Sequence, residues 1–243
     1  YILLWSGDIL VTYAVCGAIL WLIRDWSPKR LMISSVVLVS LGVLQSVAWK
    51  AGLEASREAS QLLESESMSG VQVDPEIQEW AQGWKEFESS LSDEASIQKE
   101  VNARGQSYLT AFKFNLTKVN EMILVALPFF LILDALMMMV IGMALYKYGI
   151  LEGRRESGFY MRMMIAGFLI GLVFNAYEIW LSVSSKMDVV EANFLFRWSY
   201  HLGRLSMALG YLGLILWMIK LNWIESLRAR LAAVGRMALT NYL

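Results

Sequence analysis

The run LMISSVVLVSLGVLQSVAW, from Leu31 to Trp49, decides what kind of protein this is. Its 19 residues carry no charge. As an α-helix they extend about 28 Å, close to the roughly 30 Å hydrocarbon core of a bilayer. Four further stretches read the same way. The first ends at Ile23 and starts at Ile9, or near Tyr1 if Asp8 is accommodated inside. The others are Met122 to Tyr146, Tyr160 to Val183 and Leu202 to Ile219, and a sixth apolar helical run begins at Met237 and stops at Leu243.

Composition agrees with this reading. The hydrophobic fraction is 57% and charged residues are 18%, against roughly 45–50% and 25% in ordinary globular chains. The charge is also segregated. Residues 51–121 hold 13 of the 22 acids but 6 of the 21 bases, while the rest of the chain is net positive. The expected architecture is therefore an all-α polytopic membrane helix bundle. It has five complete spans plus the start of a sixth, with two spans in residues 1–50, an acidic helical insertion in 51–121, and three spans and the next start in 122–243. A start at Tyr1 within an apolar run and an end at Leu243 within another lead us to expect spans on either side.

Loop charge orients the bundle. Arg24, Lys29 and Arg30 face only Asp25 in the first loop. Lys147, Arg154, Arg155 and Arg162 outnumber Glu152 and Glu156 in the third, and Lys220, Arg228, Arg230 and Arg236 outnumber Glu225 after the fifth span. The positive-inside rule makes these loops cytoplasmic, so residues 51–121 and 184–201 are expected outside. Trp49, Tyr177, Trp180 and Trp198 then fall at outer helix ends, and Trp21, Trp26, Tyr146 and Trp217 at inner ends, as interfacial aromatics do. The lipid bilayer is thus the first expected partner, and nothing indicates nucleic acid.

In the insertion, Asp74-Pro75-Glu76 reads as a helix start. Ile77, Trp80, Trp84, Phe87 and Leu91 then recur at helical spacing. This stripe packs on neighbouring helices or the bilayer surface, or forms a lid over an outward-facing site. Ala51 to Ser67 is helix-prone, with a break expected near Gly70.

Several chemistries are excluded. A single cysteine, Cys16, forms no internal disulfide, and a single histidine, His201, leaves no Cys/His metal cluster. No Gly-rich phosphate loop or G-x-S-x-G elbow is present, and no cofactor is evident. Ionisable groups within apolar stretches are the remaining site candidates, because each costs about 2.5–3.5 kcal/mol to insert. Asp134 lies mid-span, either hydrogen-bonded between helices or handling protons or orienting substrate. Pro128 precedes it and kinks the same stretch. Glu178, with Asn175 one turn below, lies near an outer end with Arg197, His201 and Arg204 as expected partners. Asp8, Glu178, His201 and Arg204 form the first candidate cluster, catalytic or simply ion-paired. His201 reads as a general base or as a hydrogen-bonded boundary residue. Gly203, Ser206, Gly210 and Gly213 form a small-residue stripe for close helix approach.

Three segments carry a family resemblance. Trp5 to Ala14 (WSGDILVTYA), Ile141 to Leu151 (IGMALYKYGIL) and Val234 to Leu243 (VGRMALTNYL) resemble hallmark segments of the YeiB-like bacterial membrane proteins, DUF418. The resemblance implies a bacterial cytoplasmic (inner) membrane protein with more helices than this chain holds. That family is grouped with membrane acyltransferases such as the heparan-glucosaminide acetyltransferase type. These move an acyl group from cytoplasmic acyl-CoA to an acceptor across the membrane, which implies acyl-CoA as substrate and a glycan or lipid acceptor. Their reactive histidine lies in earlier helices and has no match here, and Val11 departs from the polar or basic residue common after G-D-I-L. Two other functions stay open: a transporter or export partner using Asp134 and Glu178, and a non-catalytic scaffold that binds an envelope protein.

Overall fold

A computed structural model describes residues 10–69, 73–92, 94–121, 124, 130–193, 196–222 and 225–242. Asp8, Trp5, Gly70, Met122 and Pro128 lie outside them. Every regular element described is helical: α1 (Leu10–Leu22), α2 (Pro28–Ser69), α3 (Pro75–Ser92), α4 (Glu94–Gln106), α5 (Tyr108–Glu121), α6 (Ile132–Lys147), α7 (Ser157–Ser184), α8 (Val189–Ala192), α9 (Trp198–Lys220) and α10 (Glu225–Tyr242). Among the described residues, α7, α9 and the Pro28–Ser67 part of α2 are long and apolar enough to cross a bilayer. The protein is thus membrane-embedded. The first and third expected spans are described only in part, as the 13 residues of α1 and the 16 of α6.

α2 organises the bundle, with α6 and α9 packed on it and α1 and α7 outside them, so neighbours run α1, α6, α2, α9, α7. Its 42 residues reach about 63 Å at helical rise, twice the apolar layer. The boundary drawn between residues 50 and 51 therefore falls inside one unbroken helix. Ala51 to Ser67 has no proline, a single glycine at Gly52 and many helix formers, so the helix continues through it.

On this extension Ser56, Ala59 and Ser60 are buried against α3, whose Ala81 and Trp84 are buried in turn. Asp74 starts α3 by accepting the Glu76 N–H at 3.0 Å. The expected stripe is only partly covered. Trp84 is buried and Ile77 and Phe87 half-buried, whereas Trp80 is exposed. Likewise α10 begins at Glu225, twelve residues before the apolar run expected from Met237, with Leu231, Val234 and Met237 all exposed.

α7 and α9 pack through glycine. A Cβ at Gly167 would lie 2.6 Å from the Gly210 Cα, and one at Gly213 2.6 Å from the Met164 nitrogen. The stripe expected from Gly203, Ser206, Gly210 and Gly213 is this contact. Glycine also ends α6: Gly149 takes φ +69°, and the Ile150 N–H reaches back to the Leu145 carbonyl at 3.0 Å, as in a Schellman cap. Just before it, Lys147 at the end of α6 donates to the carbonyls of Arg24 and Trp26, tying that end to the first loop.

The connection between α7 and α9 is clamped to α2. Lys50 pairs with Glu191 at 2.8 Å and Arg57 with Asp188 at 2.8 Å, while the Arg57 guanidinium lies 5.4 Å from the Trp84 ring centre. Burial raises the pKa of Asp188, but N–H donors from Glu191 and Val190 together with Arg57 outweigh it and hold the carboxyl below its ordinary value.

Two outcomes follow from these contacts. Gly167→Val or Gly210→Val will lower thermal stability in detergent by about 1–3 kcal/mol or more, the cost of overpacking. Gly17→Ala and Gly83→Ala, where nothing lies within 4 Å of the added carbon, will be much milder. Because the folded pKa of Asp188 lies below the unfolded value near 3.9, its stabilisation is complete above that pH and is lost as pH falls through the folded value. A melting series from pH 6 to pH 3 will therefore show a smaller acid-dependent loss in Asp188→Asn than in the wild type.

Candidate functional site

At the middle of α2, below Trp49, helices α2, α6 and α9 leave a cavity of about 140 Å³. α2 presents Gly42, Gln45, Ser46 and Trp49, spaced 3, 1 and 3 along one helix face. α6 and the turn before it supply Phe130, Leu131, Leu133, Asp134 and Met137, and α9 supplies Tyr200 and His201. The wall is thus largely apolar with a few convergent polar groups, the usual make-up of a small-ligand site. Trp49 and Phe130 pack with ring centres 5.0 Å apart at its edge. Below it, Leu31, Val140 and Ala144 form a closed apolar core with Leu20, Ile23 and Leu38.

Asp134 does not stand alone on α6. It accepts both terminal nitrogens of Arg204, Nη1 to Oδ2 at 3.0 Å and Nη2 to Oδ1. This bidentate geometry matches a guanidinium fork to a carboxylate. Tyr200 supports the arginine twice: its hydroxyl lies 3.3 Å from Nη1 and its ring centre 4.9 Å from the guanidinium carbon. Two opposite charges that would each be costly in lipid are thereby made a neutral pair. The Asp134 side chain retains 40% exposure and lines the cavity, so the pair is not sealed off.

His201 lies between this pair and α2. Its Nε2 is 3.4 Å from the Ser46 hydroxyl, and its Nδ1 is 3.8 Å from Asp134 Oδ1. The second distance allows charge–dipole attraction but exceeds a hydrogen bond, and Nδ1 is buried without a hydrogen-bond partner. Gly42 makes room for the ring: a Cβ there would come within 3.3 Å of Nε2.

The expected cluster therefore divides. Glu178 joins neither His201 nor Arg204. Its carboxylate accepts the Ser199 hydroxyl at 2.8 Å. The reason is helical phase. On α7, Glu178 continues the line of Gly167, Gly171 and Phe174, which faces α9. On α9, Ser199 lies on the glycine stripe, whereas Arg204 is turned about 140° and His201 about 160° away at 100° per residue. Arg197 meets Glu178 only through its backbone, donating Nη1 to the Glu178 carbonyl at 2.8 Å and further bonds to Glu191 O and Ser182 Oγ. Asn175 donates to Gly171 O at 2.8 Å within the α7–α9 seam. Asp8 lies outside the described residues. Ser46, Gln45 and Tyr200 are cavity residues that the sequence reading passed over. Among the described residues, no group of three or more His, Cys, Asp or Glu side chains is placed to hold a metal.

Neutralising one member of the Asp134–Arg204 pair leaves the other charge without its partner. Asp134→Asn and Arg204→Met will each destabilise the detergent-solubilised protein by about 1–3 kcal/mol. The double substitution will cost less than the two singles combined, and a thermal double-mutant cycle measures the difference.

Comparison with known proteins adds one assignment. Residues 145–243 match the family described as "Protein of unknown function (DUF418)". The match spans α7, α9 and α10, so it takes in His201 and Arg204 but not Ser46 or Asp134. No curated protein and no solved structure matches the chain.

Proposed function

With residues 145–243 a DUF418 segment, we propose that this membrane protein is an acyltransferase whose chemistry takes place in the α2–α6–α9 cavity, with His201 as general base. The observation that carries this reading is the placement of His201. One ring nitrogen borders the cavity beside a hydroxyl, and the other faces a carboxylate that an arginine keeps in place. A base needs a defined tautomer and a fixed direction, and a carboxylate 3.8 Å from the far nitrogen is placed to provide both once the two draw into hydrogen-bond range. The donor in this reading is acyl-CoA and the acceptor a glycan or lipid hydroxyl. The histidine in question is this chain's own, since the reactive histidine of the acyltransferases it resembles has no counterpart here.

In this proposal the protein lies in the bacterial cytoplasmic membrane with five spans and the basic loops inside. The cavity then lies one helical turn below Trp49: the extracytoplasmic acceptor reaches it from that side, and the thioester of the cytoplasmic donor reaches it between the helices from the other. The helical insertion of residues 51–121 projects on the same side, carried by the extension of α2. The transport reading draws less support. Its principal carboxylate, Asp134, is engaged by Arg204, and Glu178 is bonded to Ser199 in a glycine seam.

The test is transfer of labelled acyl groups from acyl-CoA to extracted membrane glycans and lipids, using the full-length protein in proteoliposomes. His201→Ala will lower the rate by 10² or more, the usual contribution of a general base, while Glu178→Gln will stay within a few-fold of wild type. Equal rates in His201→Ala and wild type would exclude the reading.

A further inference from the structure

We infer that Ser46 is a nucleophile that carries the acyl group covalently, and that the group is short. This deepens the reading above and rests on it. Ser46 is 4% exposed and His201 8%, so both polar groups are withdrawn from solvent and turned to one another across 155 positions of sequence. A hydroxyl at Nε2 and a carboxylate on the side of Nδ1 give the order nucleophile, base, orienting acid. Such arrangements recur on unrelated folds and are recognised by geometry and not by position in the chain. The separations of 3.4 and 3.8 Å are those of a loose apo arrangement that closes when substrate binds.

Each proton has a place to go. With the imidazole proton on Nδ1, facing Asp134, Nε2 takes the hydroxyl proton as Ser46 Oγ attacks the carbonyl carbon of an acyl thioester. The new Oγ–C bond forms, the C–S bond breaks, and the departing thiolate takes the proton from Nε2. In the second half, an acceptor hydroxyl gives its proton to Nε2 and attacks the acyl carbon. Ser46 Oγ leaves as that second bond to carbon breaks and recovers the proton. No oxidant, metal or cofactor is needed.

The cavity sets the size of the acyl group. Its volume of about 140 Å³ is close to the roughly 150 Å³ of an engineered apolar cavity that admits benzene. Met137, Leu133 and Phe130 give it an apolar wall suited to a chain of a few carbons. A fatty acyl chain would have to extend out through the cavity's opening.

The experiment uses p-nitrophenyl acetate and p-nitrophenyl octanoate with the full-length protein in detergent, followed by peptide mass spectrometry. The expected result is a one-equivalent burst of p-nitrophenolate with acetate, a mass increase of one acetyl on the Ser46 peptide, and at least a ten-fold slower burst with octanoate. Ser46→Ala will abolish the label, Ser46→Cys will restore it at the same peptide, and His201→Gln will slow it by 10² or more. Absence of label in the wild type, or label that persists in Ser46→Ala, overturns the inference. So does a Ser46→Cys protein that is folded by thermal melt yet unlabelled. If Ser46→Ala still transfers acyl groups from acyl-CoA in a His201-dependent way, covalent carriage fails while the acyltransferase reading stands. If the wild type neither transfers nor labels, both fail.

Discussion

A charge inside an apolar layer must be neutralised, and this constraint shapes the centre of the protein. Asp134 on α6 and Arg204 on α9 satisfy it for one another through two nitrogen–oxygen contacts. The pair fixes more than its own energy. Because a guanidinium fork meets a carboxylate in one plane, the faces that α6 and α9 turn toward the cavity are set by it. The same carboxylate lies 3.8 Å from His201 Nδ1, so a pair that neutralises its own charges also places an anion beside the imidazole.

α9 serves two purposes on two faces. One face is reduced to Gly203, Ser206, Gly210 and Gly213, and α7 comes close enough that a single added carbon would collide with its backbone. Dispersion between closely packed backbones holds this contact, since lipid gives no hydrophobic drive for helix pairing. The other face carries Tyr200, His201 and Arg204 toward α2 and α6. The rigid seam thus forms the back of a polar front. α2 completes the cavity with Gly42 and Ser46, and by continuing well past Trp49 it joins the apolar bundle to the acidic helices. Lys50 and Arg57 on that extension clamp the segment that leads into α9.

The helical, apolar character of the bundle was legible from hydropathy, because lipid imposes its demand on every turn of a helix. The apolar run from Leu31 to Trp49, the start of α3 at Asp74 and the glycine stripe of α9 each carry a local signature. Helical phase was equally legible but went unused. Counting 100° per residue places Arg204 off the Gly203 stripe of α9 and Glu178 on the Gly167–Gly171 line of α7, which separates two charges that a shared depth near the outer helix ends had suggested joining. Ser46 had no such signature. It is one of four serines between Leu31 and Trp49, and only a partner 155 positions away distinguishes it. The unbroken path of α2 was likewise hidden, because a change from apolar to acidic composition alters the solvent of a helix without ending it.

The central claim is that the His201 ring is held between a carboxylate and a hydroxyl. Nitrogen-15 spectra of histidine-labelled protein in nanodiscs, with the His201→Gln spectrum subtracted to isolate this ring, test it most directly. The account predicts a neutral ring with its proton on Nδ1, whose Nδ1 resonance moves in Asp134→Asn and whose Nε2 resonance moves in Ser46→Ala. A ring that exchanges freely between tautomers and responds to neither substitution would contradict it.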